Sequence, residues 1–119
     1  MKVRYVVPID DKSNLSISEH FGHAQYFAIL VKENDNVKLE EIIEIPRDRG
    51  IRPGEYAAEL SVDAVIIRGN IGYRALELFR SKNIKVYKTD CEDVECVIEE
   101  LKKGNLTEFT GEPCPGHGH

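Results

Sequence analysis

The distribution of apolar and polar positions divides the chain into two parts. Lys2–Val7 is rich in β-branched residues and is closed by Pro8, which predicts a first strand. Asp10–Asn14 is a polar turn, and Ser18–His23 is too short and mixed for a regular element. Tyr26–Lys32 is a strongly apolar run, Asn34-Asp35-Asn36 supplies turn chemistry, and Val37–Ile45 alternates as a return strand. Val37, Leu39, Glu41, Ile43 and Ile45 would share one face, with Glu41 the interruption. An antiparallel meander is expected here.

Beyond Ile45 the pattern changes. Arg47, Arg49 and Arg52 surround Gly50 in a loop, and Pro53 suits the first turn of a helix, where its missing N–H costs nothing. Gly54–Leu60 is then a short helix with Tyr56, Ala57 and Leu60 inward. The continuous apolar run Ala64–Ile67 predicts a strand covered on both faces. Gly69–Gly72 is a tight turn, after which Ile71, Ala75, Leu78 and Phe79 fall on one helical stripe running to about Lys82. Ile84–Tyr87 is a further strand, and the helix before it is long enough for a parallel crossover. Val94, Val97, Ile98 and Leu101 mark a last helix, capped by Thr89 or Asp90 and closed by Lys102-Lys103-Gly104. The expected order is β-β-β-α-β-α-β-α: an α/β domain with a five-stranded mixed sheet and helices on its faces. Residues 1–109 form the domain; 110–119, with Gly111, Pro113, Pro115, Gly116 and Gly118, read as a flexible tail.

Composition narrows the function. At 119 residues the chain is one domain, with 41% hydrophobic and 31% charged residues. Its net charge of −5 argues against non-specific nucleic-acid binding. No apolar run approaches the roughly 20 residues of a membrane span. Three cysteines do not form an even disulfide framework, which points to a reducing, cytoplasmic setting.

Five places could carry chemistry. His20 and His23 are three apart around Phe21 and Gly22; with Phe21 packed inward, both imidazoles would face solvent and could ligate iron, zinc or copper. The plain alternative is that His20 fixes the turn and His23 is an ordinary surface residue. Cys114, His117 and His119 form Cys-x-x-His-x-His, soft donors that can wrap a metal or cap an iron–sulfur cluster, though a closed zinc site wants four. Gly69, Asn70 and Gly72 could bring backbone N–H groups to an anion, and Arg49 with its neighbours forms a cationic patch. Cys91, expected in the first turn of the last helix, has a helix end that would lower its thiol pKa; Cys96 lies off the core stripe.

The element order and the segment Ile17-Ser18-Glu19-His20-Phe21-Gly22-His23 before an aromatic strand resemble the dinitrogenase iron–molybdenum cofactor biosynthesis family, which includes NifX-like proteins and the C-terminal domain of NifB. Asp63–Leu76, with its Gly-containing turn, and Asn83–Tyr87 match further family segments. Two departures stand out: Arg68-Gly69-Asn70 replaces the usual glycine pair and Tyr73 the usual proline, while Arg47–Arg52 lacks the His or Cys many members place there. The resemblance implies a ribonuclease H-like fold and a non-catalytic binding or carrier role for an iron–sulfur cluster or iron–molybdenum cofactor precursor. Its metal ligands would be His20, Cys114, His117 and His119, with His23, Gly69, Asn70, Gly72 and Arg49 around the cofactor. Partners would be metallocluster donor and acceptor proteins, and the chain a monomer or weak homodimer. The rival readings are a divalent-metal phosphoryl-transfer or nuclease enzyme using acids such as Asp10, Asp11, Glu19, Asp63 and Asp90, and a metal-independent interaction module.

Overall fold

The computed structural model describes residues 2–69 and 71–109, Arg47 in its backbone alone. The strands are β1 (Lys2–Ile9), β2 (Tyr26–Glu33), β3 (Asn36–Glu44), β4 (Ala64–Ile67), β5 (Lys85–Lys88) and β6 (Thr107–Glu108). The helices are α1 (Pro53–Glu59), α2 (Tyr73–Ser81) and α3 (Val94–Lys103). All six strands join one mixed sheet in the order β3-β2-β1-β4-β5-β6. The expected meander is present, with β1, β2 and β3 antiparallel. So is the parallel crossover: β4 runs parallel to both β1 and β5. Cys114, His117 and His119 lie outside the described residues, as does the proposed tail.

The sheet has six strands rather than five. β6 pairs antiparallel with Tyr87 and Lys88 at the edge of β5, and two residues are too few to display a hydrophobic alternation. Pro8 does not end β1; it pairs with Phe27 inside the strand. Its carbonyl accepts a hydrogen bond from the Ser18 amide at 2.9 Å. The proline nitrogen faces that same side, beyond the Val6 end of the β1–β4 pairing, so no ladder bond is lost.

The expected single apolar face of β3 is also corrected. Ile29 pairs with Glu41 while Leu30 pairs with Leu39, which leaves Glu40 as an extra residue in a bulge. One inserted residue exchanges the faces. Val37, Leu39 and Ile42 therefore pack in the core under α3, whereas Ile43 and Ile45 join the opposite one. Glu41 interrupts the sequence pattern because the pattern changes phase there.

Two apolar layers hold the helices to the sheet. Val6, Phe27, Ile29, Val65 and Ile67 pack with Ala57 of α1 and Leu76 and Phe79 of α2 on one face. Tyr5, Val7, Ala28, Leu30, Ala64 and Ile66 pack with Val94, Val97 and Leu101 of α3 on the other. Burying each large side chain completely contributes roughly 1.5–3 kcal/mol, so both helical layers are firmly tied. Among the described residues no helix is long and apolar enough to cross a membrane.

Candidate functional site

Strands β1 and β4 are neighbours and parallel, so both deliver their connections to the same end of the sheet. The chain leaving Ile9 then turns back to β2, whereas the chain leaving Ile67 enters α2 and continues to β5 on the other side. This divergence opens a crevice at the carboxyl ends of the strands, the place where open α/β sheets bind ligands. The loop between β1 and β2 and the turn between β4 and α2 form its walls.

His20 and His23 flank a single 3-10 turn at Phe21–His23. The His23 amide donates to the His20 carbonyl at 2.9 Å, and the Ser18 hydroxyl donates to the same carbonyl at 3.1 Å. Phe21 anchors the turn from below. It is 2% exposed, meets the Phe79 ring edge-on with centroids 5.6 Å apart, and lies 5.6 Å from Phe27. The inward aromatic and outward imidazoles expected from the sequence are thus found. Both histidines are exposed, with ring centroids 5.4 Å apart. Among the described residues, neither imidazole is engaged by a hydrogen bond or ion pair; their main-chain groups, not their rings, hold the turn.

Arg68 completes this end of the sheet. Its Nη1 donates to the Ile17 carbonyl at 3.5 Å and lies 3.7 Å from Oε2 of Glu19. A shallow cavity of about 420 Å³ is lined by Asp10, Ser18, Glu19, His20, His23 and Arg68, among others. Arg68 enters the sequence reading as a departure from a glycine pair. The signal that places it in the site is its position one residue past β4, at the mouth of the crevice.

The predicted glycines have different roles. The backbone of Gly69 lies directly on that of Glu19, where a side chain would collide with the Glu19 carbonyl. Gly69 therefore clamps the two loops together. Gly72 caps α2 without a side-chain hydrogen bond and has open space around it. It lines a larger cleft of about 940 Å³ that begins at Phe21 and Gly22 and extends past Arg52, Tyr73 and Arg74. Tyr73 is 62% exposed there. Arg49 is exposed in a second 3-10 turn, Arg47–Arg49, and borders neither cavity. Asn70 lies outside the described residues.

Asp10 and Glu19 border the same cavity, but Asp63 does not join them. Asp10 follows the end of β1, whereas Asp63 precedes β4 and accepts a hydrogen bond from the Arg4 amide at 2.9 Å. Because β1 and β4 are parallel, the two carboxylates stand at opposite ends of the sheet. Among the described residues no group of three or more His, Cys, Asp or Glu side chains could hold a metal ion.

Cys91 and Cys96 are joined in a disulfide with a Cα–Cα distance of 5.6 Å, a pairing absent from the sequence reading. The helix they flank begins later than expected. Val94 is its first residue and Asp93, not Thr89 or Asp90, is the cap, so Cys91 lies ahead of α3 and Cys96 in its first turn. Between them the chain bends at Glu92, while Asp93 itself is extended.

The profile of the family described as dinitrogenase iron-molybdenum cofactor matches residues 1–104. The chain belongs to this family. The uncharacterized protein MJ0580 of Methanocaldococcus jannaschii is 31% identical over 112 residues, covering 90% of this chain and 92% of that protein. The crystal structure of PH0822 superposes with a TM-score of 0.75 at 28% identity, over 91% of this chain and 97% of that one. The apo form of the orange protein from Desulfovibrio gigas shares the fold, with a TM-score of 0.70 at 18% identity, over 93% of this chain and 95% of its own. Membership relates the chain to the handling of the iron–molybdenum cofactor.

Proposed function

We propose that this protein is a non-catalytic carrier for an iron–sulfur cluster or an iron–molybdenum cofactor precursor, passing it between cytoplasmic donor and acceptor proteins. The observation that carries the reading is the pair of exposed, unengaged imidazoles on a turn fixed by buried Phe21, at the carboxyl ends of two parallel strands. An imidazole whose ring is not occupied by the protein can ligate iron without first breaking an internal hydrogen bond. His20 is the primary ligand and His23 its neighbour. Cys114, His117 and His119 supply the further donors from residues 110–119. Arg68 and the Gly72-lined cleft, with Arg52 and Arg74, favour an anionic cargo; Arg49 and Asn70 remain proposed cofactor contacts. The order β3-β2-β1-β4-β5, with β2 antiparallel to β1, supports describing the fold as ribonuclease H-like.

Anaerobic reconstitution with iron and sulfide tests this reading. The intact chain is expected to retain iron and develop visible charge-transfer absorbance. Both decline in His20→Ala and in Cys114→Ala. Colourless, iron-free protein after reconstitution, or full retention in both variants, would refute it.

A further inference from the structure

Cys91 is buried at 6% exposure, whereas Cys96 is exposed. The backbone between them is not idle. The Glu92 carbonyl accepts a hydrogen bond from the Ile17 amide at 2.9 Å, and the Val94 amide donates to the Leu15 carbonyl at 3.1 Å. Ser16 and Asp93 form an isolated antiparallel bridge between these two contacts. The short segment enclosed by the disulfide is thus one of several supports for residues 15–17, which lead directly into Ser18, Glu19 and His20. A second is the end of β1, where Asp10 donates to the Ser16 carbonyl and Ser18 donates to the Pro8 carbonyl, each at 2.9 Å, and Arg68 donates to the Ile17 carbonyl.

We propose that the Cys91–Cys96 disulfide is a reversible redox latch on the loop that carries His20. Its chemistry is ordinary thiol–disulfide exchange with a dithiol reductant. A reductant thiolate attacks the exposed Cys96 sulfur, the Cys91–Cys96 bond breaks, and the Cys91 sulfur leaves as a thiolate that takes up a proton. The second reductant thiol then displaces Cys96 from the mixed disulfide. Two electrons and two protons pass from the dithiol to the protein, and the reductant becomes a disulfide. A disulfide oxidant such as oxidised glutathione reverses the sequence. Attack at Cys91 is blocked because that sulfur is covered by the core under α3.

Closing the bond restricts the residues between the cysteines and so holds the Glu92 carbonyl and Val94 amide in place. Opening it frees one support of the His20 loop and leaves the contacts to β1 and to Arg68 untouched. The latch stands independently of metal binding, although it acts on the same loop.

The test uses the full, metal-free chain in its oxidised and dithiothreitol-reduced forms. The tryptic peptide Thr89–Lys102 contains both cysteines and excludes Cys114. Alkylated in denaturant, it is expected to take up no alkyl group until reduced and two afterwards. Residue-resolved hydrogen exchange is expected to quicken at the Ile17 and Val94 amides on the order of tenfold on reduction, with Ser18 unchanged, and to revert on reoxidation. Cys96→Ser, which leaves the buried partner intact, should exchange quickly at both amides with or without reductant. Free alkylation after treatment with oxidised glutathione would overturn the proposal. So would equal exchange in the two forms, or acceleration of Ser18 together with the others, which would mean general loosening. None of these outcomes bears on cluster binding, which is read separately by iron content.

Discussion

The backbone of Gly69 presses against the main-chain carbonyl of Glu19, leaving no room for a side chain at position 69. The contact joins the turn after β4 to the loop after β1, and the candidate site lies across that joint. Gly69→Ala is therefore expected to destabilise the protein by about 1–3 kcal/mol, because a main-chain atom has to move. Gly72, a few residues on, has nothing within 4 Å of its would-be side chain. Gly72→Ser should leave stability unchanged or raise it by a few tenths of a kcal/mol through a better helix cap. Thermal melting of the two variants checks the contrast.

Arg68 should separate binding from folding. Its pairing with Glu19 at 3.7 Å is a surface interaction with the carboxylate largely in water, worth about 1 kcal/mol or less. Arg68→Gln is expected to melt close to the parent protein while retaining less iron after reconstitution, since a positive charge at the cavity rim is lost. Equal retention would remove Arg68 from the site.

Asp93 caps α3 by accepting a hydrogen bond from the Cys96 amide at 2.9 Å. Asp93→Ala should cost about 1 kcal/mol in urea denaturation.

Tyr5 gives the protein a pH dependence on the alkaline side. Burial pushes its phenol pKa above the ordinary value, and the negative charges that Tyr87 and Asp63 can carry push it the same way. In the unfolded chain the phenol ionises near pH 10, while in the folded chain it still holds its proton. The contribution is complete below about pH 10 and is lost as pH rises through the folded pKa. Urea denaturation from about pH 8 to about pH 11 should show parent stability falling more steeply than that of Tyr5→Phe.

The meander, the parallel crossover and the core face of α3 were readable because each extends over enough residues to impose a period of two or of 3.6. Local exceptions were not. Pro8 reads as a stop, yet it continues the strand because its nitrogen faces away from β2; that depends on which neighbour lies on which side. Glu41 reads as a flaw in one face, whereas the bulge at Glu40 exchanges faces. The Phe21 anchor and the outward histidines followed from local polarity alone. The placement of Arg68 beside Glu19 did not, because it depends on β1 and β4 being adjacent across nearly sixty positions of chain. The Cys91–Cys96 pairing does not follow from the cysteine count, because it depends on two Cα atoms coming within 5.6 Å of each other at the start of α3.

One margin of the sheet is β3, whose exposed positions include Lys38, Glu40, Glu41 and Glu44. A second copy approaching in edge-to-edge fashion would meet the bulge at Glu40, which spoils the repeat that such an approach requires. The kink that reverses β3's faces therefore also discourages ribbon-like growth through its open flank.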